Sequence, residues 1–319
     1  MFSKQMNDLF SQQVPFFFII DFAKTSGDVI PLNELNKESI LFATPDFTNA
    51  IQTNIIDKAL VFEKNPETLN TYKQKFNIVH DAINSGNSYL ANLTCETPVN
   101  INCTLKELFH LGKGKYKLWY KDSFVHFSPE TFVRIENGKI FSNPMKGTLD
   151  ASLPNAEVSI LNDKKEAAEH YTIVDLIRND LSLVANNVEV TRFRYIEKIR
   201  THSKDLLQVS SEISGNILPE YQKRPGDIFA QLLPAGSISG APKEKTIEIL
   251  YTAEGYERGF YTGVWGVYDG NKIDSCVMIR FIEQTEEGLV FKSGGGITAL
   301  SNSESEYQEM IDKIYVPVY

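Results

Sequence analysis

An α+β fold built on antiparallel strands is what this sequence predicts, and three observations carry that prediction. Short alternating runs, YKLWY, SFVHF and TFVRIENGKIFS, follow one another across turn signals, with an Asn-Gly turn at Asn137 and Gly138. Helical periodicities interrupt groups of strands instead of alternating with them one for one. No GxGxxG follows a strand, and GSISGAPK lacks the spacing of a phosphate-binding loop, so a doubly wound nucleotide fold is not indicated.

Residues 1–64 read as a strand-rich segment around VPFFFIIDF, packed on the same domain as residues 65–319, which hold the candidate chemistry. From Pro66 to Ser85, Phe76, Val79 and Ile83 recur at helical spacing, with Pro66 suited to a first turn. The hairpin strands come next. A long helix is expected from about Asn155 to about Ala185, its stripe formed by Ala167, Tyr171, Val174, Ile177, Leu181 and Val184. Strands around TRFRYIEKI and LLQVSSEISG precede a helical stretch ending near Leu233. GSISGAPKEKTIEIL reads as a loop leading into a helix, with Pro242 near the first turn. Hairpins return from Tyr261 to Ile297, turning at Asp269-Gly270 and Glu287-Gly288, and a helix closes the chain from about Ser303 to Ile314.

Composition narrows the class. The 319 residues are 42% hydrophobic and 23% charged, an ordinary globular balance with a core of useful size. A net charge of −9 opposes a broad nucleic-acid surface, which needs a basic stripe. The apolar run Val14–Ile20 is too short to cross a bilayer, and no secretory leader opens the chain, so no membrane partner and a cytoplasmic location are expected. Cys95, Cys103 and Cys276 are odd in number and lack CxxC spacing, which suits a reducing compartment.

Two ExxE pairs offer chemistry. Glu306 and Glu309 share a helix face with Lys313, and Glu166 with Glu169 opens the long helix. Four carboxylates from two helices suit a hard cation such as magnesium. The same spacing also describes a capping box from Ser303 to Glu306 and an ordinary i,i+4 pair. Gly294–Gly296 leave backbone N–H groups approachable, and GSISG before a helix N-terminus could favour an anion or simply be a tight turn. Arg280, within the strand-like run CVMIRFIE, either meets a carboxylate or points to solvent. Lys146, before Gly147, is a nucleophile if its pKa is lowered, and otherwise a lysine in a turn.

Taken in order, SPE at Ser128–Glu130, NPMKGT, EHYTIVDLIRNDL, GSISGAPK, RGFYTG, the run holding Arg280 and GGGITALSNSESEYQEMIDK resemble the chorismate-binding enzyme family over roughly residues 65–319. The resemblance implies two packed antiparallel β-sheets flanked by helices, with the active site in a central cleft. It implies Mg²⁺ held directly by Glu169 and Glu309, and through waters by Glu166 and Glu306. Chorismate would then meet Tyr261 and Arg280, with Ser239, Gly295, Gly296 and Lys313 lining the same pocket. Lys146 in NPMKGT, where other branches usually carry alanine, resembles the aminodeoxychorismate synthase branch.

That likeness implies a mechanism in which Lys146 attacks C2, Glu130 protonates the departing C4 hydroxyl, and ammonia then displaces the lysine. The pKa of Glu130 would have to be raised. Leu90 stands where water-activating members carry lysine, and Leu207 where a histidine is common. None of the three cysteines sits in a glutaminase setting, so a separate glutamine amidotransferase subunit would supply ammonia. Two rivals remain: anthranilate synthesis or another chorismate-using synthesis, and a catalytically silent ligand-binding or scaffold subunit.

Overall fold

Backbone hydrogen bonding sorts the chain into two sheets in the computed structural model, which describes residues 2–51, 59–200 and 205–318. Helix α1 (Phe2–Ser11) is followed by β1 (Phe16–Ile20), β2 (Gly27–Pro31), β3 (Ile40–Ala43), β4 (Phe62–Lys64), α2 (Leu69–Asn84), β5 (Leu90–Ile101) and α3 (Leu105–Leu111). Next come β6 (Tyr116–Tyr120), β7 (Phe124–Ser128), β8 (Thr131–Glu136), β9 (Lys139–Ser142), β10 (Met145–Asp150), α4 (Ala156–Asn162), α5 (Lys164–Ser182), β11 (Ala185–Arg200) and β12 (Asp205–Ile217). The chain continues through α6 (Pro225–Leu232), α7 (Gly236–Ser239), β13 (Gly240–Ala241), α8 (Lys243–Glu254), β14 (Val264–Tyr268), β15 (Ile273–Val277), β16 (Phe281–Thr285), β17 (Gly288–Ile297) and α9 (Ser303–Asp312).

One sheet has nine strands, ordered β10-β12-β9-β8-β15-β14-β1-β2 with β11 also on β12. The other has eight, ordered β13-β5-β17-β16-β7-β6-β3 with β4 on β5. The pairings are antiparallel, as in β1 with β14 and β17 with β5. The fold is therefore α+β. Among the links that carry the chain from one sheet to the other are β7 to β8 and β15 to β16. Glu130 and Arg280 lie in these links, which places both at the seam between the sheets.

Strand β1 shows why FFFII is apolar without a break. Phe17 and Ile19 pack with Phe42, Trp265 and Phe281 between the sheets, while Phe16, Phe18 and Ile20 join Met6, Val174 and Phe229 under the helices outside. A strand covered on both faces loses the polar half of its alternation. Each such phenylalanine contributes about 2–3 kcal/mol by leaving water. Helices α2, α3, α8 and α9 cover the second sheet through Tyr72, Leu108, Leu250 and Met310.

Several expectations need correction. The first segment is not wholly strand: Met6 of α1 is fully buried, and α1 packs on α6, where the Gly226 N–H donates to Asn7 Oδ1. Helix α2 begins at Leu69 with Thr68 as its cap, so Pro66 lies outside the first turn. The long helix is two, because Asp163 ends α4 and caps α5 by accepting from the Glu166 N–H at 3.0 Å. Tyr171 is exposed, leaving Val174 and Leu181 as the firm part of the stripe. GSISG is not a loop before a helix but the short helix α7 and the start of β13, and α8 follows Pro242. The cap of α9 is Asn302, which accepts from the N–H groups of Glu304 and Ser305, so the box from Ser303 to Glu306 is absent.

Two buried histidines link the fold to pH. Trp265 Nε1 donates to His126 Nε2, and His170 Nε2 meets Ser211 Oγ at 2.7 Å while that oxygen accepts the Arg194 N–H. Burial holds their pKa values down to about 3 and about 4, with Arg194 and Lys146 adding to the depression at His170. The unfolded chain therefore takes up protons below about pH 6.5 that the folded chain refuses, and their stabilising effect is lost as pH falls. For His170 alone the loss between pH 8 and pH 5 is about 2 kcal/mol. A His170→Asn variant should lose that part of the pH slope of the urea midpoint; an unchanged slope would refute the assignment.

Candidate active site

A cleft of about 1150 Å³ opens along the seam between the sheets. Its wall includes Glu130, Lys146, Glu166, Glu169, Tyr261, Arg280, Glu309 and Lys313, brought together from the β7–β8 and β15–β16 links, β10, α5, the end of α9 and the α8–β14 connection. The resemblance named all eight, although nothing in their spacing along the chain requires them to meet.

Lys146 projects from β10 onto α5, where its Nζ lies 2.6 Å from Glu169 Oε2. Burial disfavours its charged form, yet Glu169, with Glu309 and Glu166 behind it, outweighs that and holds the pKa above the usual lysine value. The lowered pKa set as the condition for nucleophilicity is therefore not met while this ion pair stands. Across the site, Lys313 Nζ sits 2.7 Å from Glu309 Oε1 and donates to the Gly294 carbonyl at 2.9 Å. Glu169 and Glu309, the two direct metal ligands that the resemblance implies, thus each face an ammonium group.

Glu130 is held by Ser237, whose Oγ donates to Oε1 at 2.7 Å, and its own N–H donates to Ser128 Oγ at 3.1 Å. Desolvation raises its pKa, against the opposing pull of Ser237, Arg280, Lys313 and Lys146. A carboxyl group so placed keeps its proton more readily than a surface glutamate does.

Arg280 adopts φ +54°, and its buried Nε has no hydrogen-bond partner among the described residues. It neither meets a carboxylate as part of a strand nor turns to solvent. Its guanidinium stands over the Tyr315 ring, 5.4 Å from the centroid, and lines the cleft. An anion entering the cleft would satisfy it. The Tyr261 hydroxyl is kept neutral by burial, which pushes its pKa up.

The four glutamates suit magnesium in donor type, all being hard oxygen ligands. Two glycines leave room beside them. A Cβ on Gly147 would lie 3.4 Å from Glu166 Oε2, and one on Gly295 would lie 3.6 Å from both Glu306 Oε2 and Glu309 Oε1. The pKa of Glu166 is raised by desolvation and by the charges of Glu169, Asp163 and Glu309, which outweigh Lys146. As they stand, no three His, Cys, Asp or Glu side chains among the described residues form a metal-binding group. Glu166, Glu169 and Glu309 line the cleft while Glu306 lies outside its wall, and Lys146 and Lys313 pair with two of these carboxylates.

Two serines exchange roles. Ser239 is fully buried and its hydroxyl donates to the Ala235 carbonyl, so its side chain does not serve the cleft; Ser237 does. Leu207 is corrected in a similar way. It packs with Ala156, Ile160 and Val209 beneath α4, while its neighbour Gln208 lines the cleft. Successive residues of a strand face opposite sides, so a shift of one residue decides the matter. Gly294 and Gly296 line the cleft, as does Leu90, an apolar group that cannot activate water. Among the described residues no helix is long and apolar enough to cross a membrane.

Residues 43–318 match the family described as chorismate binding enzyme. The chain is 50% identical over 318 residues to an uncharacterized PabA-like protein of Pasteurella multocida, covering 99% of this chain and 98% of that one. It is 30% identical over 258 residues to aminodeoxychorismate synthase component 1 of Salmonella typhimurium, covering 76% of this chain and 56% of that one. Among solved structures, anthranilate synthase component I of Streptococcus pneumoniae superposes with a TM-score of 0.68 at 26% identity, covering 81% of this chain and 59% of that one.

Proposed function

Because the chain belongs to the chorismate-binding enzyme family, we propose that it forms 4-amino-4-deoxychorismate from chorismate and ammonia, with Lys146 as the nucleophile. The observation that carries this reading is the lysine itself, in the wall of the cleft and paired with Glu169 at 2.6 Å.

The free amine of Lys146 attacks C2 of the ring, the double bond moves, and the C4–O bond breaks. The hydroxyl takes the Glu130 proton and leaves as water. Ammonia then adds at C4, the double bond returns, and the C2–N bond breaks to restore Lys146. The product leaves as an ammonium, and Glu130 is left as a carboxylate that takes up one proton from solvent. Splitting one displacement into two lowers each barrier. Arg280 and Tyr261 bind a substrate carboxylate, and Leu90 gives water no base. Glu169, Glu309, Glu166 and Glu306 would hold Mg²⁺, which supplies charge neutralisation for a bound carboxylate. With Glu169 so engaged, Lys146 loses the carboxylate that holds its proton.

The test is product identity. Incubation with chorismate, ammonium and Mg²⁺, followed by an aminodeoxychorismate lyase, should yield 4-aminobenzoate; fluorescent anthranilate would overturn the reading. Ammonia in the cell would come from a separate glutamine amidotransferase subunit. The purified chain alone should therefore turn over ammonium and not glutamine, and glutamine turnover by the chain alone would contradict this.

A further inference from the structure

A second cavity, of about 20 Å³, shares Glu130, Pro144, Ile177 and Ser237 with the cleft and adds groups of its own, among them Asp180 and Ser142. That volume suits one water molecule, which needs two to four polar partners. Glu130, Asp180, Ser237 and Ser142 supply them, and Ile177, Leu181 and Leu232 insulate the remainder. Ser237 Oγ already donates to Glu130 Oε1 at 2.7 Å. At the other end Asp180 Oδ1 lies 3.1 Å from Lys243 Nζ, both side chains being partly open to solvent. Gly236 keeps this end open, since a Cβ there would stand 2.7 Å from Asp180 Oδ2.

We propose that this cavity holds a water linking Glu130 through Ser237 to Asp180, a proton path from the cleft to the surface beside Lys243. The inference rests on reading Glu130 as the acid. Once substrate fills the cleft, the side of Glu130 open to solvent is covered, yet one proton must return in each turnover. Along the path, Ser237 gives its hydroxyl proton to the Glu130 carboxylate and takes one from the water. The water takes one from the acid form of Asp180, which recovers its own from bulk solvent. Only O–H bonds form and break. Desolvation raises the pKa of Asp180 against Lys243 and the Gly236 N–H, which makes its acid form more accessible. The charged groups acting on Glu130 are Arg280, Lys313 and Lys146.

Asp180→Asn tests the path, because it keeps the oxygen that accepts from Gly236 and removes the transferable proton. Recovery of Glu130 follows the chemical steps, so kcat should fall about tenfold while kcat/KM for chorismate stays unchanged. The solvent isotope effect on kcat should rise, and a burst of one product per site should precede the slow phase. Asp180→Ala should give the same split and serves if the first variant folds poorly. Equal loss of kcat and kcat/KM, or no change in either variant, would overturn the relay, since misplacing Glu130 harms both constants alike. A native chain that makes no product from chorismate and ammonia would instead overturn the reading of Glu130, and the relay with it.

Discussion

Replacing Lys146 with alanine is expected to abolish product formation while leaving chorismate binding in place, and to tighten the binding of Mg²⁺. The first effect follows from the loss of the covalent route and should reach roughly a thousandfold or more, about 4 kcal/mol of barrier. The second follows from geometry. Lys146 Nζ lies 2.6 Å from Glu169 Oε2 and competes with any metal ion for that carboxylate. Removing a partly buried positive charge at that distance is worth on the order of 1 kcal/mol, a five- to tenfold gain in metal affinity by titration calorimetry. Lys146→Arg is the informative control, since it keeps the charge but offers no free amine at neutral pH. It should be inactive without the gain in metal affinity. Turnover by Lys146→Ala at the native rate would remove the lysine from the chemistry. Unchanged metal affinity would separate the ion pair from the metal site.

This opposition between lysine and metal was not legible in the sequence, and the reason is physical. Motifs name residues that share a function, whereas Lys146 and Glu169 stand on different elements, β10 and α5. The pairing depends on how α5 lies over the sheet. The composition of the cleft was more accessible, because NPMKGT, EHYT and the ExxE of α9 mark their own elements. Local turn chemistry was legible too. Asn137 and Gly138 both take positive φ, as an Asn-Gly hairpin turn demands. The break between α4 and α5 was hidden because it uses neither glycine nor proline, only the aspartate cap at Asp163. Gln208 was missed by one position, since LLQVS gives no cue to which of two neighbours faces inward until α4 covers Leu207. Ser237 and Ser239 differ by where α7 starts, and four residues of helix leave little periodicity to read.

Arg280→Ala is expected to move stability and activity in opposite directions. The native side chain is costly in the unliganded protein. Its backbone sits in the left-handed region at φ +54°, and its buried Nε has no hydrogen-bond partner among the described residues. An unsatisfied buried donor costs about 1–3 kcal/mol, against about 0.5–1 kcal/mol from the contact of the guanidinium with the Tyr315 ring. Truncation removes the donor, so the urea midpoint without ligand should stay level or rise. A charge-assisted pair to a substrate carboxylate is worth about 3 kcal/mol, so kcat/KM for chorismate should fall roughly a hundredfold. Arg280→Lys, which keeps charge but loses the planar fork, should fall between the two. A variant that unfolds more easily yet keeps the native KM would assign Arg280 to the scaffold. The expected result would show that the seam between the sheets, where the chain crosses at Glu130 and at Arg280, holds polar groups whose partners arrive with the substrate. A half-buried carboxyl group of raised pKa and a half-buried arginine in one cleft suit an anionic substrate that must also receive a proton.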